Sequence, residues 1–142
     1  MHRHGLLEAL RLLAADFTHD GVQVAVRTYE VSPALFGAGR EATEQGIYRI
    51  VQEALNNTIK HAHAREILVL LDGSDAGQLC LTISDDGIGF DPGPGEESQA
   101  GGFGMKTMRE RAETLGGSLQ VISAPGKGTT VEVIIPNSEM KV

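Results

Sequence analysis

Two acids and two glycines directly after an apolar run are the first residues of this chain that could do chemistry. Residues 85–90 read Asp-Asp-Gly-Ile-Gly-Phe and follow residues 79–83, whose composition predicts a strand. A carboxylate at a strand end can accept from the exocyclic amine of a nucleobase, and glycines without a Cβ leave room for a flat ring. The same spacing is also found in strand-to-loop turns that bind nothing.

A second group of polar side chains lies on a predicted helix. Apolar residues recur at helical spacing from about residue 41 to residue 62, and Glu53, Asn57, Lys60 and His61 share one side of this helix. A carboxylate, an amide oxygen and a cation on one ridge could hold a metal ion and the phosphates that it bridges. The alternative is a solvated helix face with one Glu–Lys ion pair.

The third stretch is a long loop that ends in glycines. Residues 91–100 are too rich in Pro, Gly and acids to pack, which indicates either a linker or a functional lid. Residues 101–105, Gly-Gly-Phe-Gly-Met, come immediately before a helical pattern that Gly116 and Gly117 end. Glycines that open a helix expose free backbone N–H groups at the positive end of its dipole, which suits a phosphate. A flexible lid hinge is the other interpretation, and the two are compatible.

The remaining elements must position these three stretches. Residues 6–17 predict an amphipathic helix, and alternation from Val22 to Val26 predicts a half-buried strand. Two hairpins are predicted, one from residues 67–71 and 78–84 and one from residues 119–121 and 129–135. The 142 residues show no internal repeat and predict one compact domain.

Composition narrows the classes of partner. The formal net charge of −7 argues against a nucleic-acid or anionic-membrane surface. The one cysteine, Cys80, allows no disulfide within the chain and is expected to be a small buried hydrophobe. No apolar run is long enough for a membrane helix and no signal peptide opens the chain, so we expect a cytoplasmic domain without direct membrane contact, whose full-length protein can still be membrane-anchored.

Together the three stretches resemble the ATP-binding catalytic domain of bacterial sensor histidine kinases, in the superfamily shared with DNA gyrase, MutL and heat-shock chaperones. Residues 48–57, 60–64, 104–112 and 115–117 look like the subfamily that signals to response regulators with helix-turn-helix outputs. The likeness covers about residues 44–136. Phe103 and Met105 depart from the usual residues of that pattern, as apolar exchanges that affect lid packing.

The resemblance implies an α+β fold, a two-layer α/β sandwich with helices on one face of a mixed sheet. ATP would lie between the helical layer and the lid. Asp85 would accept from the adenine amine, Gly87 and Gly89 would shape the pocket, and Thr129 would line its adenine side.

The resemblance also implies a magnesium site and phosphate contacts. Asn57 would ligate Mg²⁺, with Glu53 beside it in a metal-site or water-positioning role, so these two are the catalytic candidates. Lys60 and His61 would approach the phosphates. The lid hinge and its packing would come from Gly102, Phe103, Gly104 and Met105.

One element of the resemblance is missing from this chain. The phosphorylated histidine of the subfamily lies on a dimerisation helix before an Asp, whereas His19-Asp20 stands here directly before Gly21 at a predicted turn. We therefore expect a fragment. Residues 1–20 would be either the end of the preceding dimerisation region or the first helix of the domain, residues 21–137 the catalytic domain and residues 138–142 a tail.

The function expected from the resemblance is transfer of the γ-phosphate of Mg-ATP to a histidine on a separate dimerisation domain. A response-regulator aspartate would receive it next. Two alternatives remain at this point. One is a serine kinase of the anti-sigma-factor type, and the other is a nucleotide-gated interaction module that performs no transfer.

Overall fold

The computed structural model describes residues 5–18, 21–31, 40–62, 64–75, 77–88 and 106–136. Within these ranges, helices lie on one face of a five-stranded sheet. The elements in chain order are α1 (Gly5–Phe17), β1 (Gln23–Tyr29), α2 (Arg40–Asn57) with a π-helical turn after it (Thr58–Ala62), β2 (Glu66–Asp72), β3 (Gln78–Asp85), α3 (Lys106–Thr114), β4 (Ser118–Ser123) and β5 (Thr129–Pro136). The predicted lid and the predicted tail lie outside the described residues.

The sheet is mixed, with the strand order β1-β2-β3-β5-β4. β1 pairs with β2 in parallel, and the other three pairs are antiparallel. A parallel pair needs a crossover connection, which α2 provides between β1 and β2. The two predicted hairpins, β2–β3 and β4–β5, are confirmed.

The core lies between the helices and one face of the sheet. β2, β3 and β5 alternate between buried and half-buried residues, so every second side chain enters the core. The helical layer meets them with Leu10, Ile50, Leu55 and Met108, all almost fully buried. Burying one such side chain stabilises the fold by about 1.5–3 kcal/mol. The predicted two-layer α+β fold is confirmed.

Helix α1 packs against β1 and α2 and joins the same core. Leu6, Leu10 and Leu13 are buried there, whereas Leu12 on the outer side is 57% exposed. The assignment of residues 1–20 to this domain or to a preceding region stays a prediction. No helix in the described part of the chain is long and apolar enough to cross a membrane.

Helix α3 ends at the predicted glycine pair. Gly116 has φ +81°, its N–H donates to the carbonyl of Glu113, and the N–H of Gly117 donates to the carbonyl of Ala112, each at 2.9 Å. This pair of bonds is a Schellman motif, which ends a helix on a left-handed residue. The chain turns directly from α3 into β4.

Candidate functional site

Asp85 is the last residue of β3, and its carboxylate meets three other segments. Oδ1 accepts from the backbone N–H of Gly87 at 2.8 Å, and Oδ2 lies 3.4 Å from Oγ1 of Thr58. The backbone N–H of Thr129, its partner across the β3–β5 pair, also donates to it. An ionised carboxylate offers about four acceptor positions, so Asp85 can still accept from a ligand amine.

Burial sets the electrostatics of this carboxylate. Desolvation raises the pKa of Asp85, and the neighbouring charge of Asp86 raises it further. The N–H groups of Gly87 and Thr129 and the hydroxyl of Thr58 act in the opposite direction. A partly desolvated carboxylate gains more from a new hydrogen-bond donor than an exposed one does, because little water competes for it.

Thr58 belongs to this site although the motifs did not point to it. It is 7% exposed, and its Oγ1 donates to the carbonyl of Ala54 at 2.9 Å while lying 3.4 Å from Asp85. One hydroxyl proton serves one acceptor at a time, so the shorter bond dominates. The sequence held one signal for Thr58, which is that a hydroxyl side chain lies on the apolar stripe of the helix, four residues after Ala54.

The turn between β4 and β5 packs against the strand end that carries Asp85. Gly128 has φ +76°, and a Cβ at this position would overlap the carbonyl oxygen of Asp85. In the same turn, the N–H of Gly126 donates to the carbonyl of Ile88 at 2.6 Å. The turn between β4 and β5 therefore supports the backbone on both sides of Gly87.

Thr129 is buried beside Asp85, with its hydroxyl oriented by Ser123. Ser123 Oγ donates to the carbonyl of Gly128 at 2.9 Å and lies 2.9 Å from Thr129 Oγ1. Because the Ser123 proton is directed to Gly128, Thr129 is the donor between the two hydroxyls. Thr129 Oγ1 can then still accept a hydrogen bond through its lone pairs, but it has no further proton to donate.

The polar ridge of α2 does not remain one regular helix. The predicted helix over about residues 41–62 is present, but it changes from an α-helix to a π-helical turn after Asn57. A π-turn has more residues per turn, which changes the direction of the side chains that follow Asn57. Lys60 lies in this turn and is exposed, while the side chain of His61 lies outside the described part.

Glu53 and Asn57 have different surroundings. Oε1 of Glu53 lies 3.7 Å from Nη2 of Arg111 on α3, so its ion partner is Arg111 and not Lys60. Nδ2 of Asn57 is buried and has no hydrogen-bond partner among the described residues. The two ends of a carboxamide can exchange by rotation about its last bond, so Asn57 can present its oxygen to a ligand.

These groups fit a magnesium ion that takes most of its ligands from a nucleotide. No three His, Cys, Asp or Glu side chains cluster as metal ligands within the described ranges. Mg²⁺ commonly binds through one or two protein oxygens together with phosphates and water. Asn57 and Glu53 could supply that small protein share.

Five predicted site residues lie outside the described part of the chain, namely Gly89, Gly102, Phe103, Gly104 and Met105. Their assigned roles in the pocket and lid stay predictions.

Comparison with protein families decides the classification of this fold. Residues 42–139 match the family described as histidine kinase-, DNA gyrase B- and HSP90-like ATPase. The chain belongs to this ATPase family. The resemblance predicted from its three motif stretches is confirmed, and domains of this family bind ATP.

Two bacterial sensor proteins are similar to this chain in sequence. The chain is 41% identical over 96 residues to the sensor histidine kinase LiaS of Bacillus subtilis, which covers 68% of this chain and 26% of LiaS. It is 38% identical over 93 residues to the sensor protein VraS of Staphylococcus aureus, covering 66% of this chain and 26% of VraS. The chain thus spans about a quarter of the length of these relatives.

Solved structures of the ATPase family share the fold. The blue-light activated histidine kinase EL346 of Erythrobacter litoralis superposes with a TM-score of 0.70 at 26% identity, over 96% of this chain and 43% of that one. The ATP-binding domain of PrrB from Mycobacterium tuberculosis superposes with a TM-score of 0.67 over 94% of each chain. At 20% identity this second likeness concerns the fold alone.

Proposed function

We propose that this chain is the catalytic domain of a two-component sensor histidine kinase. It binds Mg-ATP and donates the γ-phosphate to a histidine on the dimerisation domain of the same kinase, from which a response-regulator aspartate takes it. The observation that carries the proposal is the meeting of a desolvated carboxylate, Asp85, with the end of the helix that presents Asn57, whose buried Nδ2 has no hydrogen-bond partner in the described part of the chain. The similarity to LiaS, a sensor histidine kinase, supports histidine as the acceptor.

Adenine recognition is assigned to the end of β3. Asp85 accepts from the exocyclic amine, while Gly87 and Gly89 leave room for the ring. Thr129 Oγ1 offers a second acceptor on the same side, because its proton is directed to Ser123. Guanine carries a carbonyl where adenine carries the amine, so the carboxylate would repel it.

The phosphate side is assigned to α2 and the lid. Asn57 and Glu53 would hold Mg²⁺, which supplies neutralisation of the phosphate charge. Lys60 and His61 would lie toward the phosphates, and Gly102, Phe103, Gly104 and Met105 would form and pack the lid hinge.

The transfer step needs positioning more than reactive side chains. The bond between the γ-phosphorus and its bridging oxygen breaks, a bond to the acceptor nitrogen forms, and ADP leaves. An in-line arrangement at near-contact distance supplies most of the rate of such a transfer. The role of Asp85 and Asn57 is therefore to fix the two ends of the nucleotide.

Incubation with γ-labelled ATP and a separately supplied dimerisation domain tests this function. We expect weak labelling of that domain, because without a covalent tether the effective concentration is low. Loss of the label in acid identifies phosphohistidine. An acid-stable label would indicate a serine kinase instead, and tight ATP binding without any transfer would indicate a nucleotide-gated interaction module.

Asn57→Ala is expected to abolish the dependence of ATP affinity on magnesium, because the variant lacks the amide oxygen assigned to the metal. Titrations of ATP with Mg²⁺ and with a chelator measure this dependence. Asn56→Ala, at the exposed neighbouring position, is the matched control and should keep the wild-type difference. An unchanged magnesium effect in Asn57→Ala would show that Asn57 is not a ligand.

Binding of ATP is expected to weaken on acidification before an ordinary aspartate would titrate. Burial places the pKa of Asp85 above the usual value of 3.8, and protonation removes the negative charge of the acceptor, so affinity falls as the pH drops through that raised pKa. Binding isotherms at a series of pH values from neutral downward measure the profile. Asp85→Asn has no carboxyl at this position and reports the titration of the nucleotide itself. Parallel profiles for the two proteins would contradict the assignment.

A further inference from the structure

Asp86 makes an unusual set of contacts for an exposed side chain. Its Oδ1 accepts from the backbone N–H of Arg65 at 2.8 Å and from that of Glu66 at 3.0 Å. Its own N–H donates to the carbonyl of Glu66 at 3.3 Å. The last residue pair between β2 and β3 is Ile67 with Asp85, so Asp86 continues the attachment of the two chains beyond the regular ladder.

The contacts of Asp86 join the two sides of the proposed nucleotide site. Arg65 lies between the π-helical turn that follows Asn57 and strand β2, and Glu66 is the first residue of β2. The carbonyl of Arg65 also accepts from the N–H of Gln23 at 2.8 Å, which fastens this segment to β1. The connection that leaves the helix of Asn57 is thus held by the residue next to Asp85.

The charge state of Asp86 suits this attachment. The N–H groups of Glu66 and Arg65 hold the pKa of Asp86 below its usual value. The carboxylate is therefore ionised at neutral pH, and a hydrogen bond to an ionised acceptor is stronger than one between neutral groups.

We propose that Asp86 is a positioning residue, which sets the separation between the adenine acceptor Asp85 and the phosphate side of α2. The inference rests on the proposed function, since it assigns adenine and phosphates to these two places. A ligand that is held at both ends binds best when the two ends of its site are already at the right separation. The affinity for a ligand that is bound only through its base does not depend on that separation.

Comparison of two ligands separates positioning from a general effect on folding. Loss of folded protein lowers the apparent affinity for ATP and for adenosine by the same factor. Loss of the correct separation lowers the affinity for ATP alone. The informative quantity is therefore the ratio of the Kd for adenosine to the Kd for ATP, measured well below the melting temperature.

The experiment measures this ratio in the wild type, Asp86→Ala and Asp86→Asn, by calorimetry for Mg-ATP and by NMR chemical-shift titration for adenosine. We expect Asp86→Ala to weaken ATP binding about 10-fold and adenosine binding less than about 2-fold, the scale of one lost charge-assisted hydrogen bond. Asp86→Asn keeps an oxygen that can accept from both N–H groups and should recover most of the ATP affinity.

Asp75→Ala is the matched control, because Asp75 also accepts from a backbone N–H, that of Gly77, but in an exposed turn. If Asp86→Ala does not fold, Asp86→Ser provides the same comparison, because its side chain is shorter and uncharged. An unchanged ratio in the Asp86 variant would overturn the inference and leave the proposed function standing. A wild type that binds neither ligand would overturn both.

Discussion

Asp85→Asn is expected to weaken ATP binding by about 10- to 150-fold while the domain remains folded. The substitution keeps the size of the side chain but replaces an ionised acceptor by an amide with one acceptor oxygen and an NH₂ group. The charge-assisted hydrogen bond to the adenine amine, worth about 1.5–3 kcal/mol, is lost. Calorimetric titration with Mg-ATP measures the change.

Two comparisons make the Asp85 result specific to base recognition. Asp75→Asn changes an exposed carboxylate in the turn between β2 and β3 and should leave ATP affinity unaltered. Wild-type protein should bind GTP far more weakly than ATP, and Asp85→Asn should narrow that difference because the amide can donate to the guanine carbonyl. Equal affinity of the wild type for ATP and GTP would rule out Asp85 as the adenine acceptor.

Gly128→Ala is expected to destabilise the domain by about 2–5 kcal/mol and to remove ATP binding with it. A left-handed backbone costs an alanine about 1–2 kcal/mol. The new Cβ would also overlap the carbonyl oxygen of Asp85, and relief of such overpacking costs about 1–3 kcal/mol more. Urea denaturation gives the change in the free energy of unfolding.

Gly126→Ala separates the two contributions at Gly128. Gly126 has nearly the same backbone, with φ +77°, but a Cβ there would meet no atom of the described residues within 4 Å. This control should therefore lose only the conformational contribution and keep its affinity for ATP. Equal destabilisation by both substitutions would show that the turn can move away from Asp85 at no cost.

The sequence predicted the parts of this protein whose signals are local. Short runs of apolar residues located β2, β3 and β5, and a glycine pair located the end of α3, because both patterns act over a few neighbouring residues. Asp85 was predicted as a site residue because a carboxylate at a strand end, followed by glycines, can accept from a nucleobase amine, and because the three motif stretches together resemble the ATP-binding family. The polar face of its helix made Asn57 a candidate, and the resemblance to the ATP-binding family assigned it to magnesium.

The contacts that support the site were not predictable from local pattern. Gly128 touches Asp85, and Asp86 holds Arg65 and Glu66, only because the sheet brings distant segments together. The partner of Glu53 likewise depends on how α3 packs beside α2, a placement that the spacing within α2 does not contain. β1 and β2 pair in parallel because of the crossover that connects them, and the sequence of neither strand indicates this pairing.

Because β3 lies at the centre of the sheet, a nucleotide bound at its end would change the hydrogen exchange of the other strands as well. β3 is paired with β2 on one side and β5 on the other, whereas β1 and β4 stand at the two ends of the strand order. Amides of such a central strand exchange with solvent through cooperative opening of the whole unit. A ligand bound to Asp85 therefore cannot stabilise only the residues that contact it. Its binding free energy is added to the opening free energy of the entire sheet, so a nucleotide recognised at one strand end slows hydrogen exchange throughout the domain.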